Sequence, residues 1–122
     1  MLYKIQSNGQ LKPVVKIPHE PQFLEWCDRL THEEFDAIYD HLFALIDGAE
    51  IRTSSWIPGS RWYGTVFWPI YETACNQDSG AAAKFFGLIL WQVVMEHPDK
   101  WSFGRYELDD TPIEGMTYFR IQ

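Results

Sequence analysis

The chain has 122 residues, 46% of them hydrophobic, and a formal net charge of −7, which predicts one soluble, acidic domain over residues 1–122. A chain of this length buries about two thirds of its unfolded surface, enough for a single core. The negative charge has the wrong sign for nucleic-acid phosphates and for anionic lipid, so neither a nucleic acid nor a membrane is expected as a partner.

The start of the chain and its cysteines bear on its location. Residues 1–9 lack the apolar run of a secretory signal peptide. The longest apolar run, at 85–95, is interrupted by Gln92 and is too short to cross a bilayer. A cytoplasmic protein with Cys27 and Cys75 reduced is therefore expected.

The N-terminal residues predict a β-hairpin. Two β-prone runs, at 2–5 and 14–17, flank a turn that contains Asn8-Gly9. This dipeptide favours a tight hairpin turn because both of its residues tolerate positive φ. Pro13 has no N–H to donate, so the second strand is expected at a sheet edge or after this proline.

Two helices are predicted after the hairpin. The first is short and covers 22–29. Thr31 and Glu34 form a capping box at the start of the second. Its apolar residues recur with helical spacing, and Gly48 supplies its end.

A very apolar helix is predicted over 81–97, where Lys84, Gln92 and Glu96 form the only polar stripe. A helix that is apolar on most sides must be covered on most sides. The hairpins and other helices are the available covers, and a second subunit is the next candidate.

Two further elements complete the predicted fold. A short helix is expected to begin at Pro69, and a second hairpin pairs 101–108 with 116–121. The resulting fold class is α+β, with an antiparallel sheet from the N- and C-terminal hairpins packed on the central apolar helix and two or three further helices.

The segment 53–65 concentrates aromatic, hydroxyl and glycine residues around one arginine. Aromatic walls with a fixed cation suit a planar or anionic small molecule. The predicted ligand contacts are Trp56, Arg61, Trp62 and Tyr63, with Arg105 and Tyr106 as neighbours. The alternative interpretation is an Ω-loop whose aromatic rings cover the core.

Metal and catalytic patterns are weak. The four histidines are His19, His32, His41 and His97. None is paired at i,i+4 and no C-x-x-C motif occurs, so no metal site and no cofactor are expected. His32 and His97 are interpreted as surface or helix-cap residues. His41 has no carboxylate one turn away, which favours a histidine at the edge of the core over a general base.

The segments SWIPGS at 55–60, WSFGRYE at 101–107 and GMTYF at 115–119 resemble small uncharacterised proteins carried on bacterial integron gene cassettes. The resemblance implies a compact cytoplasmic bacterial protein, often a homo-oligomer. It implies no activity and no catalytic residues.

These observations leave three functions open. The leading prediction is a non-catalytic module that binds a small ligand or a protein partner, as a homodimer. The second is a small acid–base enzyme that uses a cleft near 53–65, with a carboxylate or His41 as the base. The third is an acidic protein antagonist of a basic partner.

Overall fold

The computed structural model describes residues 1–49, 51–53, 62–104, 107–108, 111–112 and 117–121. Within these ranges, helices and strands together confirm the predicted α+β class. The strands are β1 (Leu2–Ile5), β2 (Leu11–Val14), β3 (Ile51–Thr53), β4 (Trp101–Gly104), β5 (Glu107–Leu108), β6 (Thr111–Pro112) and β7 (Thr117–Arg120). The helices are α1 (Glu20–Asp28), α2 (His32–Ile46) and α3 (Ser79–Glu96), with a π-helix at Ile70–Ala74.

The main sheet is mixed rather than wholly antiparallel. Its strand order is β2-β1-β4-β7-β3, and β5 pairs with β6 separately. The β1–β4 pair is parallel and the other pairs are antiparallel. The helices between β1 and β4 carry the chain back to the same end of the sheet, and a crossover of this kind makes the two strands parallel.

The N-terminal hairpin forms, but its second strand begins earlier than predicted. The Gln6 N–H donates to the Gln10 carbonyl oxygen (2.9 Å), and Gly9 takes a φ of 82°. Because this compact turn ends at Gln10, pairing resumes at Leu11 and not at residue 14. Pro13 is accommodated because β2 lies at the edge of the sheet.

The predicted capping box opens α2. The Glu34 N–H donates to Thr31 Oγ1 (3.1 Å), and the Thr31 N–H donates to Glu34 Oε1 (2.9 Å). Gly48, with a φ of 79°, follows the end of the helix. The start and stop signals read from the sequence are confirmed at this helix.

The apolar helix α3 lies at the centre of the core. It contacts α1, α2, β1 and the π-helix. After its first turn only Ala83, Lys84 and Glu96 are exposed. The described residues of one chain therefore cover the apolar faces of α3. The homodimer stays a prediction, because covering this helix does not require a second subunit. Among the described residues, no helix combines the length and the apolar character needed to cross a bilayer.

Candidate functional site

An aromatic cleft of about 270 Å³ lies beside the first turn of α3. Its lining residues are Trp62, Trp68, Tyr71, Ser79 and Ala82. This volume is close to the lower end of the range found for small-molecule sites, and aromatic lining with few polar groups is typical of them. One lining residue, Trp62, belongs to the segment 53–65, which the sequence predicts as a site.

The wall formed by Trp68 and Tyr71 follows from the local backbone. The two residues are three positions apart across Pro69, and residues at this spacing share a face of a helical turn. Their ring centroids lie 5.2 Å apart. The Cys75 N–H donates to the Ile70 carbonyl oxygen (3.1 Å), an i→i+5 bond of the π-helix. Short π-helical turns recur at functional sites because they redirect side chains.

Trp62 and Tyr63, both predicted contacts, take different positions. Trp62 is half-buried, and its ring centroid lies 5.6 Å from that of Phe86. Tyr63 is 79% exposed and meets the Trp68 ring edge-on at 5.1 Å. Trp62 therefore covers part of the core while it also lines the cleft, and Tyr63 extends the aromatic surface into solvent.

A tight turn between the π-helix and α3 brings Ser79 close to Tyr71. Asn76 and Gln77 both take left-handed backbone conformations, with φ of 50° and 64°. The Gln77 N–H donates to the Tyr71 carbonyl oxygen (2.7 Å). A left-handed conformation costs a residue such as glutamine about 1–2 kcal/mol, whereas asparagine adopts it more readily. The surrounding contacts must therefore stabilise this turn. This turn positions the start of α3 beside the aromatic wall.

The cleft has polar groups available to a ligand. Within the described part of the chain, neither the indole N–H of Trp68 nor the hydroxyl of Tyr71 donates to a protein acceptor. The Ser79 side chain also lines the cleft. Donors of this kind favour a ligand that carries hydrogen-bond acceptors.

The remaining predicted contacts, Trp56, Arg61, Arg105 and Tyr106, lie outside the described residues. Sequence reasoning missed Trp68, Tyr71 and Ser79. The aromatic residues at 68 and 71, separated by a proline that begins a helical turn, carried a signal that could have found the wall.

His97 is the C-cap of α3, as interpreted, but it is not a surface residue, because its side chain is completely buried. The Asp99 N–H (3.1 Å) and the Trp101 indole N–H (3.3 Å) both donate to its Nδ1. Since Nδ1 accepts, the ring proton is on Nε2, which donates to Asp47 Oδ1 (3.0 Å). Both ring nitrogens are occupied and neither faces the cleft, so His97 has a structural role.

Asp47, His97 and Asp99 also form a group with metal-binding chemistry. Each offers a ligand atom, and these atoms lie within 4.8 Å of one another. This group could not be predicted from residue spacing, because Asp47 follows α2 whereas His97 and Asp99 follow α3. Asp99 Oδ2 is paired with Arg120 (3.1 Å), and both His97 nitrogens are hydrogen-bonded. A metal ion would have to break these bonds, so we interpret the group as a hydrogen-bonded network.

His41 lies where a histidine at the edge of the core is expected. It is exposed on α2, and its ring meets Phe67 edge-on at 5.4 Å. Within the described ranges no carboxylate hydrogen-bonds to this ring. A general base needs such an orienting partner or a bound substrate within reach, and the described residues supply no partner.

The two thiols are expected to react slowly. Burial, with a smaller effect from the Asp28 carboxylate, raises the pKa of Cys27 to about 11. Burial also raises the pKa of Cys75 to about 11, although the Arg29 guanidinium opposes the shift. Against an ordinary value of 9.0, each thiol has about 100-fold less thiolate at pH 8, and the thiolate is the reactive form. Because a thiolate of higher pKa is also more nucleophilic, we expect iodoacetamide to label the native protein about 10-fold more slowly than the urea-unfolded protein, as measured by mass spectrometry. Equal rates in both states would contradict the burial of these side chains.

In comparisons with protein-family models, curated proteins and solved structures, nothing matches this chain. The resemblance to integron cassette proteins therefore stays a prediction.

Proposed function

We propose that the protein is a non-catalytic binding module that holds a small planar molecule in the aromatic cleft. The observation that carries this proposal is that three aromatic residues, Trp62, Trp68 and Tyr71, line one cleft together with Ser79. Planar molecules stack on aromatic faces, and such contacts contribute about 0.5–1.5 kcal/mol beyond the burial of area. In the described part of the chain the Trp68 and Tyr71 donors are unpaired, which favours a ligand with carbonyl or ring-nitrogen acceptors.

The chemistry of the cleft favours binding over catalysis. Among its described lining residues there is no histidine, no carboxylate and no thiol, which are the usual groups of acid–base and nucleophilic catalysis. The acid–base enzyme, the protein partner and the antagonist of a basic protein stay predictions with no comparable support.

A thermal-shift screen of planar metabolites, followed by calorimetric titration of the hits, tests the proposal. A ligand that binds only the folded state raises its stability by about 2.7 kcal/mol at 100 times its Kd. We expect Trp68→Ala and Tyr71→Ala each to weaken binding about 5- to 10-fold, the effect of one lost aromatic contact.

Tyr3→Ala is the matched control, because Tyr3 is a half-buried aromatic residue of β1 that does not line the cleft. Its affinity for each hit should equal that of the wild type. Arg61 is next to Trp62 in the sequence. The variant Arg61→Ala distinguishes anionic from neutral ligands, because only anionic ligands should bind it more weakly than they bind the wild type. Hits that bind all variants equally, or a library without hits, would contradict the proposal.

A further inference from the structure

The tip of the N-terminal hairpin contains Asn8-Gly9, the dipeptide in which asparagine loses its side-chain amide most readily. The nucleophile in this reaction is the backbone nitrogen of the following residue, and glycine has no side chain to hinder it. Asn8 and Gly9 are both exposed, and a Cβ at Gly9 would meet no atom within 4 Å. Water and hydroxide can therefore reach both residues. This site is independent of the aromatic cleft and of the proposed function.

The folded turn holds both reacting groups in hydrogen bonds. The Gly9 N–H donates to the Gln6 carbonyl oxygen (2.9 Å), and the Gln10 N–H donates to Asn8 Oδ1 (3.0 Å). The Gly9 nitrogen must lose its proton before it can attack, so the first of these bonds has to break. Hairpin tips open locally much more often than a whole domain unfolds. The turn is therefore expected to slow the reaction without preventing it.

We propose that Asn8 is a deamidation site whose reaction is controlled by opening of the turn at residues 6–10. In the open turn a base removes the Gly9 N–H proton, and the nitrogen forms a bond to Asn8 Cγ. The Cγ–Nδ2 bond breaks, and the side-chain nitrogen leaves as ammonia with a proton taken from water. Water then adds to one of the two carbonyl carbons of the succinimide ring, whose carbon–nitrogen bond breaks to give aspartate or isoaspartate.

The two products should affect the hairpin differently. Aspartate keeps the length of the main chain, and its carboxylate can accept from the Gln10 N–H as Asn8 Oδ1 does. Isoaspartate carries the main chain through its Cβ and Cγ, which adds one carbon atom to the turn. The register that pairs Ile5 with Leu11 depends on the length of the turn. Isoaspartate should therefore weaken the pairing of β2 with β1.

Mass spectrometry of the tryptic peptides 5–16 and 62–84 follows Asn8 and Asn76 separately. The peptide with Asn8 should gain the mass expected when an amide becomes an acid. We expect this gain to be about 10- to 100-fold slower in the native protein than in guanidinium, because the hydrogen bonds of the turn must first open. Asn76 is the internal control and should react much more slowly in guanidinium, because the Gln77 side chain hinders the attacking nitrogen. Equal rates in the two states, or no gain at Asn8 in guanidinium, would overturn the proposal.

Phe85→Ala distinguishes opening of the turn from unfolding of the whole domain. This change weakens the core, so the native rate at Asn8 should stay the same if the turn opens locally. Phe85→Leu is the milder variant if alanine prevents folding. A rate that rises in proportion to the loss of global stability would contradict control by the turn.

Asn8→Asp is the matched control for the effect of the products. It carries the new charge without the extra carbon atom, so its β1 and β2 amides should exchange hydrogen as slowly as those of the wild type. The isoaspartate form, separated by chromatography from aged protein, should exchange faster at the same amides. Unchanged exchange in that form would contradict the expected loss of pairing.

Discussion

Phe85→Ala is expected to lower the free energy of unfolding by about 3–5 kcal/mol, the usual cost of removing a buried phenylalanine ring. Phe85 is fully buried on α3. Its ring centroid lies 5.8 Å from that of Phe23 in an edge-on arrangement and 5.4 Å from that of Trp26. The variant thus loses the transfer free energy of the ring and its aromatic contacts, and leaves a cavity between α1 and α3.

Lys84→Ala is the matched control for this variant. Lys84 precedes Phe85 on the same helix and is exposed, so its replacement should change stability by less than about 0.5 kcal/mol. Urea unfolding followed by circular dichroism measures both, and the slope m should stay constant. A loss below about 1 kcal/mol for Phe85→Ala would contradict the central place of this residue in the core.

His97→Leu is expected to cost about 2–4 kcal/mol of stability. Leucine fills a similar volume but cannot accept hydrogen bonds, so the Asp99 N–H and the buried Trp101 indole N–H lose their acceptor. Each buried donor left unpaired costs about 1–3 kcal/mol. Asp47 adds little to the loss, because its side chain is 61% exposed and can be hydrated.

His97→Asn separates hydrogen bonding from packing at this position. Its Oδ1 can take the place of Nδ1 as acceptor, so we expect it to recover part of the stability that leucine loses, although asparagine is smaller. Asp47→Asn keeps an acceptor for Nε2 and should change stability by less than about 1 kcal/mol. A larger loss for His97→Asn than for His97→Leu would show that packing against Phe43, 4.8 Å away between ring centroids, dominates at this position.

The helices could be predicted because their signals are local. The capping box of Thr31 and Glu34 involves atoms only a few residues apart, and Asp78 caps α3 by accepting from the Ala81 N–H (3.0 Å). The apolar spacing that follows each cap is also a local property. These elements lie within two or three residues of their predicted positions.

Apart from the Trp68–Tyr71 wall, the cleft and the buried histidine could not be predicted in this way, because both depend on contacts between distant segments. Ser79 and Trp62 line the same cleft only because the chain turns through the π-helix between them. The buried His97 ring is hydrogen-bonded to Asp47, fifty positions earlier, and packs against Phe43. The parallel pairing of β1 with β4 likewise depends on where the helices return the chain, which no single segment specifies.

The edge strand β2 has a consequence for how copies of this protein can associate. An exposed strand edge recruits other chains by offering a continuous row of backbone donors and acceptors. In β2, Pro13 interrupts that row because it has no N–H, and the exposed Lys12 beside it adds a charge. At only four residues, the strand is also too short for a stable intermolecular ladder. We therefore expect any self-association to avoid this edge, and the sheet to resist growth into fibrils from it.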